Sequence, residues 1–256
     1  MNHPMRGATA VALALFLAAC ETVTPGMPPV NKKALAATRT QLGAGYMARG
    51  EYDVAHHELK RALAIDPDNS EANNIMGLLY WRLKDYDRAN RYFRRSVSLQ
   101  PDNSDAQNNY GVFLCERGRL RSAARHFRAA LSNPLYKTPE RADINAGICY
   151  MKVPNALKAE KYFRAALESN PKVPAALYYM AKISLDQGQP QSASNYIHRY
   201  FGVAKPSPEP LLLAVRIERA LHNVNAAASY AVSLRGMFPD SPEAKQLDTL
   251  GDGSLR

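Results

Sequence analysis

A period of 34 residues runs through this chain and constrains its fold more than any other feature. With a frame opened at Ala36, Leu42-Gly43, Tyr46, Gly50, Tyr52, Ala55, Leu59, Ala62 and Pro67 fall at positions 7-8, 11, 15, 17, 20, 24, 27 and 32. From Ser70 the same places hold Met76-Gly77, Tyr80, Tyr86, Ala89, Phe93, Ser96 and Pro101, with Ser drifting in for Ala at position 27. From Ser104 come Tyr110-Gly111, Leu114, Gly118, Leu120, Ala123, Phe127 and Ala130, and from Glu140 come Ala146-Gly147, Tyr150, Ala159, Phe163, Ala166 and Pro171. Two weaker units follow, from Pro174 and Pro208, in which the aromatic marks fade as they do toward the end of an array. Repetition at this length marks a supersecondary unit that cannot bury its apolar face alone and must stack.

The period has a mechanical reason. Gly or Ala at position 8 and Ala at position 20 let two helices cross closely, while the bulky residue at 24 fills the space beside them. Pro at 32 closes the second helix, and Asp-Pro-Asp-Asn-Ser-Glu-Ala at 66–72 supplies caps and early acids for the next one. This spacing resembles the tetratricopeptide (TPR) repeat. The resemblance implies an all-α, right-handed superhelical solenoid of six hairpins (36–69, 70–103, 104–139, 140–173, 174–207 and 208–241). Ser241-Pro242-Glu243 then opens a short capping helix within 242–256, ending near Leu250-Gly251. One irregularity stands out: two extra residues fall in Ser132–Pro139, between units three and four.

The N-terminus addresses the envelope. Arg6 precedes an apolar run from Ala8 to Ala19 that is too short to span a bilayer, so residues 1–19 read as a signal peptide. Leu17-Ala18-Ala19-Cys20 resembles the bacterial lipobox, which implies acylation of Cys20, with palmitate among the expected chains, and Glu21 after it points to the outer membrane, facing the periplasm. Residues 20–35, with three prolines, read as a lipid-anchored tether.

The chain carries 33 Lys+Arg against 23 Asp+Glu, a formal charge of +10. Short basic runs such as Arg94-Arg95 and Arg117 to Arg125 fit outer helix faces, so nucleic acid is not an expected partner. No motif of hydrolytic or phosphate chemistry is present. The neighbours His56 and His57 point to different helix faces, and Asp66-x-Asp68-x-Ser70 lacks the glycine and glutamate of a calcium loop. The expectation is a binding protein, not an enzyme, with no cofactor, no metal and no small-molecule substrate.

Two thiols remain after Cys20. Cys115 and Cys149 lie in first helices of consecutive units, which are neighbours in the stack, and the expected compartment is oxidising. They read as a disulfide or, alternatively, as two buried free thiols. In this repeat class the concave groove is lined by first-helix positions 2, 5, 9, 12 and 13. Those are Asn74, Leu78, Trp81 and Arg82 in unit two, and Asn108, Val112 and Glu116 in unit three, with Asn109 beside them. Unit four supplies Ile144, Ile148 and Met151, with Asn145 adjacent, and unit five supplies Tyr178, Lys182 and Asp186. The position-5 asparagines suit the backbone of an extended peptide, position 9 makes an apolar line, and Trp81, the single Trp, is a natural anchor.

The segments Asn108–Arg119, Asn133-Pro134-Leu135-Tyr136 and Asn145–Cys149, together with the lipobox and the repeats, resemble the type IV pilus biogenesis and stability lipoproteins of the PilF/PilW type. The resemblance covers nearly the whole mature chain. It implies an outer-membrane lipoprotein, a pilotin, that assists localisation or assembly of the pilus secretin and so supports twitching motility, and it implies that Cys115 and Cys149 pair. The alternative is a periplasmic TPR adaptor recruiting cell-wall enzymes or other envelope proteins.

Overall fold

The computed structural model describes residues 31–153 and 156–251. The lipidation site expected at Cys20, the signal peptide and residues 20–30 of the tether lie outside that range. Among the described residues the structure is all-helical, with thirteen α-helices and no strand. They pair as α1 (Lys32–Ala48) with α2 (Tyr52–Ile65), α3 (Ser70–Arg82) with α4 (Tyr86–Leu99), and α5 (Ser104–Glu116) with α6 (Leu120–Leu131). Then come α7 (Pro139–Met151) with α8 (Ala156–Ser169), α9 (Pro174–Asp186) with α10 (Pro190–Phe201), and α11 (Pro208–Ala220) with α12 (Val224–Met237). Helix α13 (Pro242–Gly251) closes the C-terminal end. One boundary needs correcting. Residues 32–35, read as tether, are already helical, because Lys-Lys-Ala-Leu are good helix formers and nothing breaks the turn before Ala36.

The hairpins are held by a close approach that sharpens the reading of the repeat. The glycine at position 8 faces the side chain at position 24 directly. A Cβ added to Gly77 would lie 2.8 Å from the Phe93 ring, and one on Gly111 would lie 2.7 Å from Phe127. Phe93, Phe127 and Phe163 are fully buried, each contributing about 2–3 kcal/mol of burial free energy. The fading units keep the same volume by trading it. Position 8 grows to Ala181 and then Val215, while position 24 shrinks to Ile197 and then Ala231. A larger residue at position 8 thus accompanies a smaller one at position 24, the exchange that a close-packed crossing tolerates best.

Local chemistry sets the ends of the helices. Asn69, Asn103 and Ser241 accept from the backbone N–H of Ala72, Ala106 and Ala244 at 2.9, 3.0 and 3.0 Å. The turn inside a hairpin needs one left-handed residue at position 15. Gly50, Gly118 and Gly188 supply it at φ 80°, 71° and 70°, whereas Lys84 and His222 adopt it at 61° and 58° against their side chains. Between units, first helices touch in succession from α1 to α3, α5 and α7, and again from α9 to α11. Second helices pack on the next first helix. That asymmetry makes the first-helix face the inner one.

Candidate protein-binding groove

The first helices of units one to three form an open cleft of about 550 Å³, lined by Met47, Leu78, Trp81, Arg82, Lys84, Tyr86 and Glu116. Four of the residues expected from the sequence, Leu78, Trp81, Arg82 and Glu116, are brought together there. Each has a structural cause. Trp81 stands at position 12 of α3, where edge-to-face contacts with Phe93 at 6.3 Å and Phe113 at 5.8 Å fix its ring while leaving it half-buried. Leu78 lies one turn earlier and packs against the same apolar cluster. Arg82 and Glu116 end their helices as exposed charges of opposite sign. The Arg117 guanidinium sits 4.2 Å over the ring of Tyr86 and holds it at the rim. Met47 was not expected, although it occupies in unit one the place that Trp81 occupies in unit two. The position rule, carried one unit further back, finds it.

The asparagines require a correction. Asn74 and Asn108 are buried, and they do not face a peptide. Asn109 Nδ2 donates to Asn74 Oδ1 at 3.3 Å, and Asn145 Nδ2 donates to Asn108 Oδ1 at 3.0 Å. Position 6 of one unit thus ties to position 5 of the unit before it. These amides form a polar ladder that holds first helices in register, and their cost of burial is met by one another.

The remaining expected groove residues separate into other clusters. Val112 packs against the core of the first three units, and Ile144, Ile148 and Met151 pack against the cluster around Phe163 and Met180. Tyr178 lies farther along, 5.2 Å edge-on to Tyr179 and 6.4 Å from Tyr200, and burial beside Tyr179 raises its phenol above the usual range. The line read through units two to five is therefore a cleft over units one to three, followed by packed inter-unit contacts.

The Sγ atoms of Cys115 and Cys149 are bonded, with Cα atoms 5.9 Å apart, joining α5 to α7. The inserted loop beside them is tightly built. Asn133 Nδ2 donates to the Asp102 carbonyl at 3.0 Å, the Leu135 N–H donates to Asn133 Oδ1 at 2.9 Å, and Arg141 pairs with Asp105 at 3.3 Å. The histidines go to separate partners. His56 Nε2 lies 3.0 Å from the Tyr80 hydroxyl, and His57 Nδ1 lies 3.4 Å from Glu58, whose carboxyl a hydrogen bond from Arg39 holds below its ordinary pKa.

Comparison with known proteins gives this architecture its relatives. Residues 76–142 and 150–196 match the tetratricopeptide repeat, and residues 43–84 match a second family described as TPR repeat. The type IV pilus assembly protein PilF of Pseudomonas aeruginosa is 26% identical over 245 residues, 94% of this chain and 97% of that protein. The crystal structure of PilW, a widely conserved type IV pilus biogenesis factor, matches at 34% identity with a TM-score of 0.75, covering 83% of this chain and 97% of PilW. The chain belongs to the PilF/PilW family of type IV pilus TPR proteins. A structure of Pseudomonas aeruginosa PilF likewise covers 86% of the chain and 99% of its own, with a TM-score of 0.80 at 25% identity. Coverage of this kind means that the PilF/PilW likeness extends through the weaker units five and six as well as the clear ones.

Proposed function

We propose that this protein is a lipid-anchored outer-membrane lipoprotein that grips a pilus-machinery protein in its first-helix cleft and assists localisation and assembly of the pilus secretin. Membership of the PilF/PilW family supports a role in type IV pilus biogenesis through TPR-mediated protein interaction. The observation that carries the choice of surface is the cleft around Leu78 and Trp81, where an apolar floor, the half-buried Trp81 and the exposed Tyr86 lie between charges of opposite sign. A rigid aromatic anchor with an apolar neighbour and a charged rim suits a polypeptide segment better than a small metabolite. Lipid on Cys20 would tether the body closely. Twelve residue steps separate Cys20 from Lys32, which span at most about 40 Å when fully extended.

The test is capture from solubilised outer membranes by the full-length lipidated protein and by a Leu78→Arg, Arg82→Ala variant of unchanged helicity. Secretin recovered by the parent and reduced at least tenfold by the variant is the expected result. Equal recovery by both would place the grip elsewhere. Recovery of cell-wall hydrolases in place of secretin would support an envelope adaptor instead. The anchor has its own check, since Cys20→Ala should move the protein out of the membrane fraction.

A further inference from the structure

The second helices carry a charge pattern that the first-helix cleft does not use. Between α4 and α6 lies a cleft of about 640 Å³ whose rim includes Arg91, Arg94 and Arg95 on one side and Arg119 and Arg125 on the other. Across α6 a second cleft, of about 400 Å³, takes Arg121, Arg128 and Lys158, and Arg125 lines both. Among the described residues no carboxylate lines either cleft, and of the rim arginines Arg95 alone is ion-paired, with Asp68 on the preceding loop.

A merely solvated helix face mixes its signs, as Arg88 does with Asp85 on the turn into α4 and Arg164 does with Glu160 on α8. Helix α6, Leu-Arg-Ser-Ala-Ala-Arg-His-Phe-Arg-Ala-Ala-Leu, has no acid at all. Arg91, Arg94, Arg119, Arg121, Arg125 and Arg128 form no salt bridge among the described residues. Folding does not require this gathering. The buried face of α6 is Ala123, Phe127 and Ala130, which pack inward whatever stands outside. Like charges held together repel one another, so the strip costs stability until a counter-charge arrives.

We propose that this face binds an acidic polypeptide segment of a partner protein, one in which carboxylates alternate with apolar side chains. Arginine matches a carboxylate in two parallel hydrogen bonds, and guanidiniums flanking α6 on both sides offer that match repeatedly. The clefts are also recessed. Val97 and Leu114 lie in the first, and Leu120, Tyr150 and Val153 lie in the second. An apolar side chain between two carboxylates reaches such a floor, whereas a layer of lipid headgroups meets the rims and leaves the floors wet. The strip lies on the second helices and the Leu78–Trp81 cleft on the first, so the proposal stands apart from the reading of that cleft.

Fluorescence anisotropy with a labelled peptide of alternating Glu and Leu, and its Gln/Leu counterpart, tests this on the full chain carrying Cys20→Ala, which removes anchoring by lipid. The Glu/Leu peptide should bind, the Gln/Leu peptide should not, and affinity should fall as salt rises. Arg94→Gln with Arg119→Gln and Arg125→Gln should weaken binding by about tenfold or more. Lys60→Gln with Lys172→Gln and Lys205→Gln removes the same charge elsewhere and should leave binding unchanged. Equal binding by the arginine variant, or no binding by the parent, overturns the proposal. Arginine-dependent flotation with phosphatidylglycerol vesicles, without peptide binding, overturns it in favour of a membrane-facing surface.

Discussion

Asp143 occupies a place where its neighbours in the repeat carry amides. In units two and three, Asn73 and Gln107 at the same position donate to the carbonyls of Pro67 and Pro101 at 3.3 and 2.8 Å. A carboxylate cannot donate, and Asp143 is only 5% exposed. Burial, with Glu140 and Glu168 nearby, raises its pKa from 3.8 to about 6. The folded protein therefore holds a proton that the unfolded chain releases near pH 4, so stability falls as pH rises from about 4 to about 6 and is level above. Asp143→Asn should raise stability at pH 7 by roughly 2 kcal/mol and remove that slope, the two proteins converging below pH 4 in thermal melts. A second residue-scale expectation follows from a hydroxyl. Ser70 Oγ lies 3.2 Å from Ser96 Oγ, but Ala130 replaces that serine in unit three, and among the described residues Ser104 Oγ is buried without a partner. Ser104→Ala should stabilise by about 1 kcal/mol and Ser70→Ala should destabilise, measured by urea titration. The Ser at position 27, which reads in sequence as drift, is thus one half of a pair. The asparagines teach the opposite lesson. Their place in the repeat was legible in sequence, but whether position 5 faces a groove or the next unit depends on the tilt between units, which the spacing does not encode.

The repeat also made the helices themselves legible, because a hairpin's crossing depends on a pair of positions and not on long-range order. Gly77 against Phe93 and Gly147 against Phe163 are such pairs, and the smaller step to Ala181 against Ile197 keeps the crossing where the aromatic mark has gone. The inserted Ser132–Pro139 loop was legible as an irregularity, but its internal bonding through Asn133 was not, since an Asx turn depends on a backbone shape that composition leaves open. Beside that loop the Cys115–Cys149 bond links α5 to α7 over a sequence separation of 34 residues. Closing a loop of that size stabilises by about 3–4 kcal/mol through the unfolded state. Cys115→Ala with Cys149→Ala should lower stability by that order, with protection against hydrogen exchange lost first in α5 to α7. An unchanged melting temperature would show that the neighbouring packing alone holds these units.

At the scale of the molecule, a solenoid has ends, and an end exposes the apolar face that each inner unit buries on its neighbour. Helix α13 answers this at the C-terminus. Its Ala244 and Leu247 cover Leu211, Leu212 and Val215 of α11 and Leu234 of α12, and Arg216 bonds to Gln246 at 3.1 Å alongside. Unit six depends on this cover more than the inner units do, because its position-24 residue is only Ala231 and the rings that reach its cluster, Tyr230 and Phe238, are only partly buried. Truncation after Ser241 should therefore not unfold the chain uniformly. Amides of α11 and α12 should lose protection, while α3 to α7, held by the aromatic cluster and the disulfide, should keep theirs. The uncovered leucines should drive self-association, visible by light scattering. The proposed grip on the first helices of units one to three should survive, since no residue of that cleft touches the C-terminal cluster. Full protection of α11 in the truncated chain would mean that α13 is dispensable, and that unit six is stabilised by its contact with α10 alone.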